Sequence, residues 1–488
     1  MIEPNGFHTE GPAISRRGML AAMSSIPLVC ALPGAASANT RAEYPASSEA
    51  LMGMGIEDVS AEGGMLRILT PGSDVTLGAD NVLRMRQRIG ADRELLSLPL
   101  DAHFAPWRIG EKTPFLCTLE GNGLRITVQG DSVLIFAPQQ NMKLSFQGAF
   151  EPVYRRELRG NRLLLDDLGG CGFFGIPIRP TEFLDKETPW SIRCHLARWD
   201  ELWVSLCPPR AENPKRLAQS ISHDILYYLL KDNEITERYA SRKSLEEIAQ
   251  HCQILALHEE IWKDAPAWVE DPPGGHYDHP KPWETDRHEP IDADAFKRML
   301  DDAHELGLQV VTYCSPYYSS APDLFAEFKR VLNEYNLDGL YFDGWCPQND
   351  DFRAGYQFMR QARAMLGDKI LYLHSSTDPF GSVDMYLPFV FTYADFCLRG
   401  ESGRGESDLE PFLRYTISGH QISNSAGMWC YYGSTGKSGY QFVVPATAHI
   451  EAALKNHAYL WRQSRMWSRF PDELARFDRE YYGALSKR

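Results

Sequence analysis

The sequence has little of what several protein classes require. No apolar run past the N-terminal region approaches the 18 or so residues that cross a bilayer. There is no basic excess: 50 Lys+Arg stand against 65 Asp+Glu, a formal charge of −15. Neutralising nucleic-acid phosphates needs a basic face, so this balance argues against a nucleic-acid partner. No CxxC pair, GxSxG elbow, phosphate-binding P-loop or post-strand dinucleotide fingerprint occurs. Tandem repeats and low-complexity tracts are missing too. What is present is 488 residues, 43% hydrophobic and 11% aromatic, enough to build real cores and too aromatic for disorder.

The N-terminal stretch reads as an address. Ser15-Arg16-Arg17-Gly18-Met19-Leu20 precedes a weakly apolar segment and then Ala36-Ser37-Ala38. This resembles a twin-arginine export signal over residues 1–38, with cleavage before Asn39. The expectation is an exported protein, periplasmic or extracellular, with no membrane attachment once the signal is removed. Twin-arginine export carries folded chains, which weakens the usual link from secretion to disulfides. Of ten cysteines, Cys30 lies in the leader and nine remain, an odd number. Cys252, Cys314, Cys346, Cys397 and Cys430 sit in apolar runs, where a thiol behaves as a small hydrophobe. They read as structural and reduced.

Residues 39–215 carry period-two alternation broken by turns. Leu124-Arg-Ile-Thr-Val128 alternates after the hairpin signal Gly121-Asn-Gly123, and Gly130-Asp-Ser132 turns the chain into Val133-Leu-Ile-Phe136. That pattern predicts an antiparallel β-sandwich. Residues 216–488 instead alternate short apolar runs with helix-period segments, the signature of parallel β/α units. Strands are expected around Asp224–Tyr228, Gln253–His258, Gln309–Tyr313, Gly339–Phe342, Ile370–Leu373, Phe396–Arg399 and Ala426–Cys430. Helices are expected near Asp294–Leu306, Pro322–Tyr335 and Phe352–Leu366, with Gly307 and Gly367 at C-caps. Seven strands predict a (β/α)8 barrel whose eighth strand is not placed. The stretch Tyr459–Arg488 reads as helical and charged.

Barrel sites form at strand C-termini. The groups following the strands are Glu259 and Glu260; Ser315 and Tyr317; Asp343-Gly344-Trp345; His374-Ser375-Ser376; Arg399-Gly400-Glu401; and Tyr431-Tyr432. An apolar strand that ends in a carboxylate is costly unless the group faces a polar mouth. Two carboxyl groups, Asp343 and Glu401, have the chemistry for cleaving a glycosidic bond, one ionised and one delivering a proton. Arg399, two residues before Glu401, shares its strand face by simple alternation. Its direct contact would favour the ionised form, the opposite of what an acid needs. Trp262, Trp345 and Trp429 could stack on sugar faces, and Glu259 and His374 could bind hydroxyls.

The segment Leu337-Asp-Gly-Leu-Tyr-Phe-Asp-Gly-Trp345 resembles the strand-four segment of glycoside hydrolase barrels related to the α-galactosidases (families 27, 31 and 36). The resemblance implies Asp343 as nucleophile and an acid/base at the end of strand six. Those families usually have Asp there; this chain has Glu401. It also implies a carbohydrate substrate and no cofactor. Bland alternatives exist for each residue: Asp343 as a turn or cap, Glu401 in a rim salt bridge with Arg399 and Arg404, Glu259 paired with Lys263, His374 as a hydrogen-bonded rim residue, and the tryptophans as packing. Two rival functions stand beside the hydrolase. One is a metal-dependent hydrolase or lyase built on His276, Asp278, His279, Asp286 and His288, although their spacing matches no standard zinc or iron signature. The other is a non-catalytic carbohydrate-binding barrel protein. Sequence assigns no sugar, linkage or oligomeric state.

Overall fold

The computed structural model describes residues 52–158, 161–176, 181–183, 190–224, 239–263, 286–316, 319–343, 352–374, 387–401, 409–418, 426–430, 447–460, 462–463 and 471–485. Alternating residues between Asp58 and Cys207 build two eight-stranded antiparallel sheets. One sheet carries Val82–Gln87 and Met142–Gly148 among its strands; the other is centred on Gly169–Ile176, Glu201–Cys207 and Ser132–Phe136. Leu83, Met85, Ile126, Val128, Phe146 and Ile192 meet between them, all 0% exposed. The Gly121-Asn-Gly123 hairpin forms as read: Gly121 pairs with Leu124, and Gly123 takes the left-handed φ of 76° that a glycine accepts without strain.

The chain then enters a parallel sheet. Its order is Tyr459–Leu460, Ala426–Cys430, Phe396–Glu401, Ile370–His374, Gly339–Phe342, Gln309–Tyr313, Ile254–Leu257, Ile221–Asp224 and Arg462–Gln463. The strands at 254, 309, 339, 370, 396 and 426 lie where their apolar runs place them. The first, Ile221–Asp224, ends where the sequence-read strand began, and residues 225–238 lie outside the described ones. Amphipathic helices Ala293–Glu305, Leu324–Glu334 and Arg353–Leu366 cross between strands. Asp292 and Asp323 cap the first two by accepting backbone N–H groups at 2.9 Å. Gly307 and Gly367 stand past the helix ends with φ of 78° and 59°.

The expected (β/α)8 barrel is corrected by this arrangement. The described residues show a parallel, half-barrel-like sheet beside the larger antiparallel sheets, with no set of eight regular strand–helix units. Between Ile370–His374 and Phe396–Glu401 the described helix is the four-residue Pro388–Phe391. The C-terminal stretch contributes only the two-residue strands Tyr459–Leu460 and Arg462–Gln463. The physical reason is composition: from Pro471 onward the apolar residues fall at helical spacing, and Leu474, Phe477 and Tyr481 form the buried stripe of helix Pro471–Leu485.

The parallel sheet packs its apolar core onto one face of the sandwich, whose inter-sheet core is separate. Trp203 stacks on Phe389 at 5.2 Å and meets Phe352 edge-on at 5.6 Å. Polar anchors reinforce the seam. Buried Arg210 donates to the Thr392 carbonyl at 2.7 Å, and Arg216 and Arg363 flank buried Asp395 at 3.4 and 2.8 Å. Seven described cysteines are buried and form no disulfide with one another, which fits the structural reading for Cys252, Cys314 and Cys397; Cys30, Cys346 and the side chain of Cys430 lie outside the described residues. Burial pushes the Cys194 and Cys207 thiols up to about 12, so neither is a ready nucleophile.

Candidate active site

Three neighbouring strands end on the same motif: Tyr313-Cys-Ser315, Tyr341-Phe-Asp343 and Tyr372-Leu-His374. Parallel register aligns Tyr313 with Tyr341 and Tyr341 with Tyr372. Alternation then places the three tyrosines on one face and the polar residues one step above them. Phe342 points the other way, packing on Phe328 at 5.2 Å and Phe358 at 5.6 Å. Tyr341 stacks on Tyr372 at 4.4 Å and meets Tyr313 edge-on at 5.6 Å, a buried aromatic floor. His258, just past Ile254–Leu257, leans over it with its ring 5.1 Å from Tyr313 and 5.8 Å from Tyr341.

Asp343 stands on this floor with its side chain 18% exposed. Its Oδ1 accepts the Tyr341 hydroxyl at 3.0 Å and is also in contact with Nδ1 of His374. Ser315 Oγ donates to the Asp343 carbonyl at 2.7 Å, fixing the backbone at the strand end. The other carboxylate oxygen, Oδ2, makes no hydrogen bond to a described residue. One oxygen is therefore clamped and the other has no described partner.

Electrostatics keep that carboxylate ionised. Burial alone would raise its pKa. The charge and hydrogen bond of His374, the charge of His258 and the Tyr341 hydroxyl outweigh burial and hold it well below the usual carboxylate range. Tyr341 is pushed the other way, mainly by burial and next by the Asp343 charge. It stays a protonated donor.

The remaining sequence-chosen residues separate into three groups. Glu259 is 6% exposed beside His258, with its Oε2 against the imidazole Nδ1. Trp262 is 1% exposed: its indole N–H donates to the Tyr313 carbonyl at 2.8 Å, and His288, Phe296 and Tyr335 surround the ring. No ring face is open there for a sugar. Arg399 is also 1% exposed, its guanidinium 4.5 Å from the Phe391 ring centroid. A bulge between Leu398 and Gly400 interrupts the regular register of this strand. Trp345 and the side chains of Glu401 and Trp429 lie outside the described residues.

Of the histidine-rich segment, His276, Asp278 and His279 lie outside the described residues, and Asp286 is exposed. His288 is buried, and its backbone N–H and Nδ1 approach Glu327 Oε1 at 2.7 and 3.2 Å. Burial opposes ionisation of Glu327, but Arg330 and His288 hold its pKa well below normal. His288 is a core anchor in this structure. Among the described residues no group of three His, Cys, Asp or Glu could hold a metal ion, and no described helix is long and apolar enough to cross a membrane.

His258 and the three tyrosines were not singled out from sequence as one constellation. The signal was available: a tyrosine two positions before a polar residue at three successive strand ends.

No protein-family model and no curated protein matches the chain. Similar solved structures include the Listeria monocytogenes EGD-e protein lmo2446 in complex with glucose, magnesium and calcium, at 9% identity over 89% of this chain and 56% of that one, TM-score 0.37. A β-arabinopyranosidase matches at 10% identity over 87% of this chain and 83% of that one, TM-score 0.36. The Listeria monocytogenes cycloalternan-forming enzyme, solved with a pentasaccharide substrate, matches at 10% identity over 89% and 56%, TM-score 0.33. The chain spans just over half the length of these two Listeria proteins.

Proposed function

We propose that this protein is an exported glycoside hydrolase in which Asp343 is the nucleophile. The observation that carries the reading is the asymmetric carboxylate: Oδ1 held by Tyr341 and His374, Oδ2 without a described hydrogen-bond partner, and the group kept ionised by its neighbours. A nucleophile needs both its charge and one free lone-pair face. In the proposed cycle, Oδ2 bonds to the anomeric carbon as the glycosidic C–O bond breaks. Glu401, proposed as acid/base, gives its proton to the departing oxygen. It then takes a proton from water, which attacks the same carbon and releases Asp343. The two inversions retain the anomeric configuration. Tyr341 and His374 are positioning residues in this scheme.

The test is a screen of 4-nitrophenyl glycosides with wild type, Asp343→Asn and Asp343→Gly. Wild type should release nitrophenol from at least one glycoside, and Asp343→Asn should not. Azide should restore turnover to Asp343→Gly by forming a glycosyl azide of inverted configuration. Full activity in Asp343→Asn removes the nucleophile assignment.

A further inference from the structure

Five large apolar residues are exposed among the described residues, and Trp199 is the single aromatic one, at 61%. It sits on the turn between Ser191–Leu196 and Glu201–Cys207. Its φ of 74° is a left-handed conformation that ordinarily selects Gly or Asn. A tryptophan there gains nothing from burial and pays backbone strain as well.

The turn is nevertheless held firmly. Ala197 N–H donates to Asp200 Oδ2 at 2.7 Å, and Trp199 N–H to the Ala137 carbonyl at 3.2 Å. Arg198 N–H donates to Asn141 Oδ1 at 2.9 Å and its Nε to the Pro138 carbonyl at 3.2 Å. These bonds brace the turn on the loop after Ser132–Phe136, whose residues Gln139-Gln140-Asn141 are three consecutive amides. Gln140 reaches His103 at 3.2 Å, while Gln139 and the indole N–H make no hydrogen bond to a described residue. The Arg198 guanidinium lies 5.4 Å from the indole centroid and the Phe136 ring 6.0 Å away.

An exposed apolar ring on a braced turn, with a guanidinium over it and amides on the adjoining loop, suits a particular chemistry. That is a ring with C–H groups on its face and hydroxyls on its edge. We propose that Trp199, Gln139, Asn141 and Arg198 form a second, non-catalytic saccharide-binding site on the sandwich. It takes a segment of a soluble polysaccharide chain, with the indole stacked on a pyranose face and the amides on its hydroxyls. The choice of a saccharide rests on the proposal that the protein acts on carbohydrate, while the site's existence is tested separately from Asp343.

The experiment is affinity electrophoresis of the full chain, in an Asp343→Asn background, through gels cast with xylan, galactomannan, dextran or arabinogalactan. At least one polysaccharide should retard the protein. Trp199→Gly, which removes the ring and suits the left-handed backbone, should weaken that retardation at least tenfold, and Trp199→Phe should restore part of it. Nitrophenyl glycoside cleavage by Trp199→Gly, with Asp343 intact, should match wild type. Equal retardation of Trp199→Gly, or no retardation in any gel, overturns the proposal. Retardation without cleavage of any glycoside would instead remove the hydrolase reading and leave this site standing.

Discussion

Asp131 lies in the seam between the sandwich and the parallel sheet; Asp343 lies at the end of a parallel strand. Asp131 is 4% exposed and accepts hydroxyls from Tyr356 at 2.9 Å, Tyr393 at 2.6 Å and Ser132 at 2.8 Å. Burial nonetheless dominates, and its pKa is raised. Asp343 has fewer hydrogen bonds, yet its pKa is lowered, because His374 and His258 add charge where Asp131 has neutral hydroxyls. Hydroxyl donors offset desolvation only in part, whereas a cationic neighbour acts directly on the ionised form. The seam therefore holds a carboxyl whose pKa is raised by burial, and the strand end holds one whose pKa is lowered by its charged neighbours.

The contrast breaks most visibly in catalysis. Asp343→Asn keeps the shape and removes the charge, and should lower kcat/KM by roughly a thousandfold or more on any glycoside the wild type cleaves. His374→Ala should cost about a hundredfold. It should also move the acid limb of the kcat/KM profile to higher pH, since the carboxylate loses the neighbour that most lowers its pKa. His374→Asn, whose amide nitrogen can replace Nδ1, should recover part of both effects; a pH profile identical to wild type in His374→Ala would show that the imidazole does not control Asp343. Tyr341→Phe leaves the stack on Tyr372 and removes one donor, with an expected loss of about tenfold.

The seam is read out by denaturant unfolding rather than turnover. Asp131→Ala should cost about 1–3 kcal/mol, because it leaves the Tyr393 hydroxyl without its acceptor in a buried place, while Tyr356 keeps Gln129. Asp131→Asn sharpens the sign. A carboxyl whose folded pKa is raised stabilises fully below its unfolded value of about 3.9, and that contribution is lost as pH rises through the folded value. Relative to wild type, Asp131→Asn should therefore gain stability as pH rises above about 4. Asp343 has the reverse sign: its contribution is present above about pH 3.9 and lost as pH falls toward its lowered folded value, so the deficit of Asp343→Asn against wild type should grow as pH rises toward about 4 and change little above it. Parallel curves for the two variants would erase the distinction.

The alternation of Leu124-Arg-Ile-Thr-Val128 was enough to foresee antiparallel strands, since one face was buried and the residues say which. The short runs at Gly339 and Ile370 were equally plain, because strands covered on both sides read as continuous apolar stretches. Sequence could not show how the parallel strands would be completed. The C-terminal segment has helical periodicity, and its two-residue strands lie below any periodic signal. Nor could it show the bulge after Leu398, which one extra residue creates without any distinctive side chain. Asp131 looked like a turn residue in Gly130-Asp-Ser132. Its burial comes from Tyr356 and Tyr393, more than two hundred positions away. Asp343 was legible because an apolar strand ended abruptly on it, whereas the donors that clamp it come from its own strand and the next.

The ring cluster of Trp203, Phe352 and Phe389 also bears on how the chain melts. A cut near residue 215 would bare those rings to water on both fragments, even though the sandwich keeps the separate core between its own sheets. Heating the whole protein should then give one calorimetric peak with matching van't Hoff and measured enthalpies, instead of a separate early transition for each half.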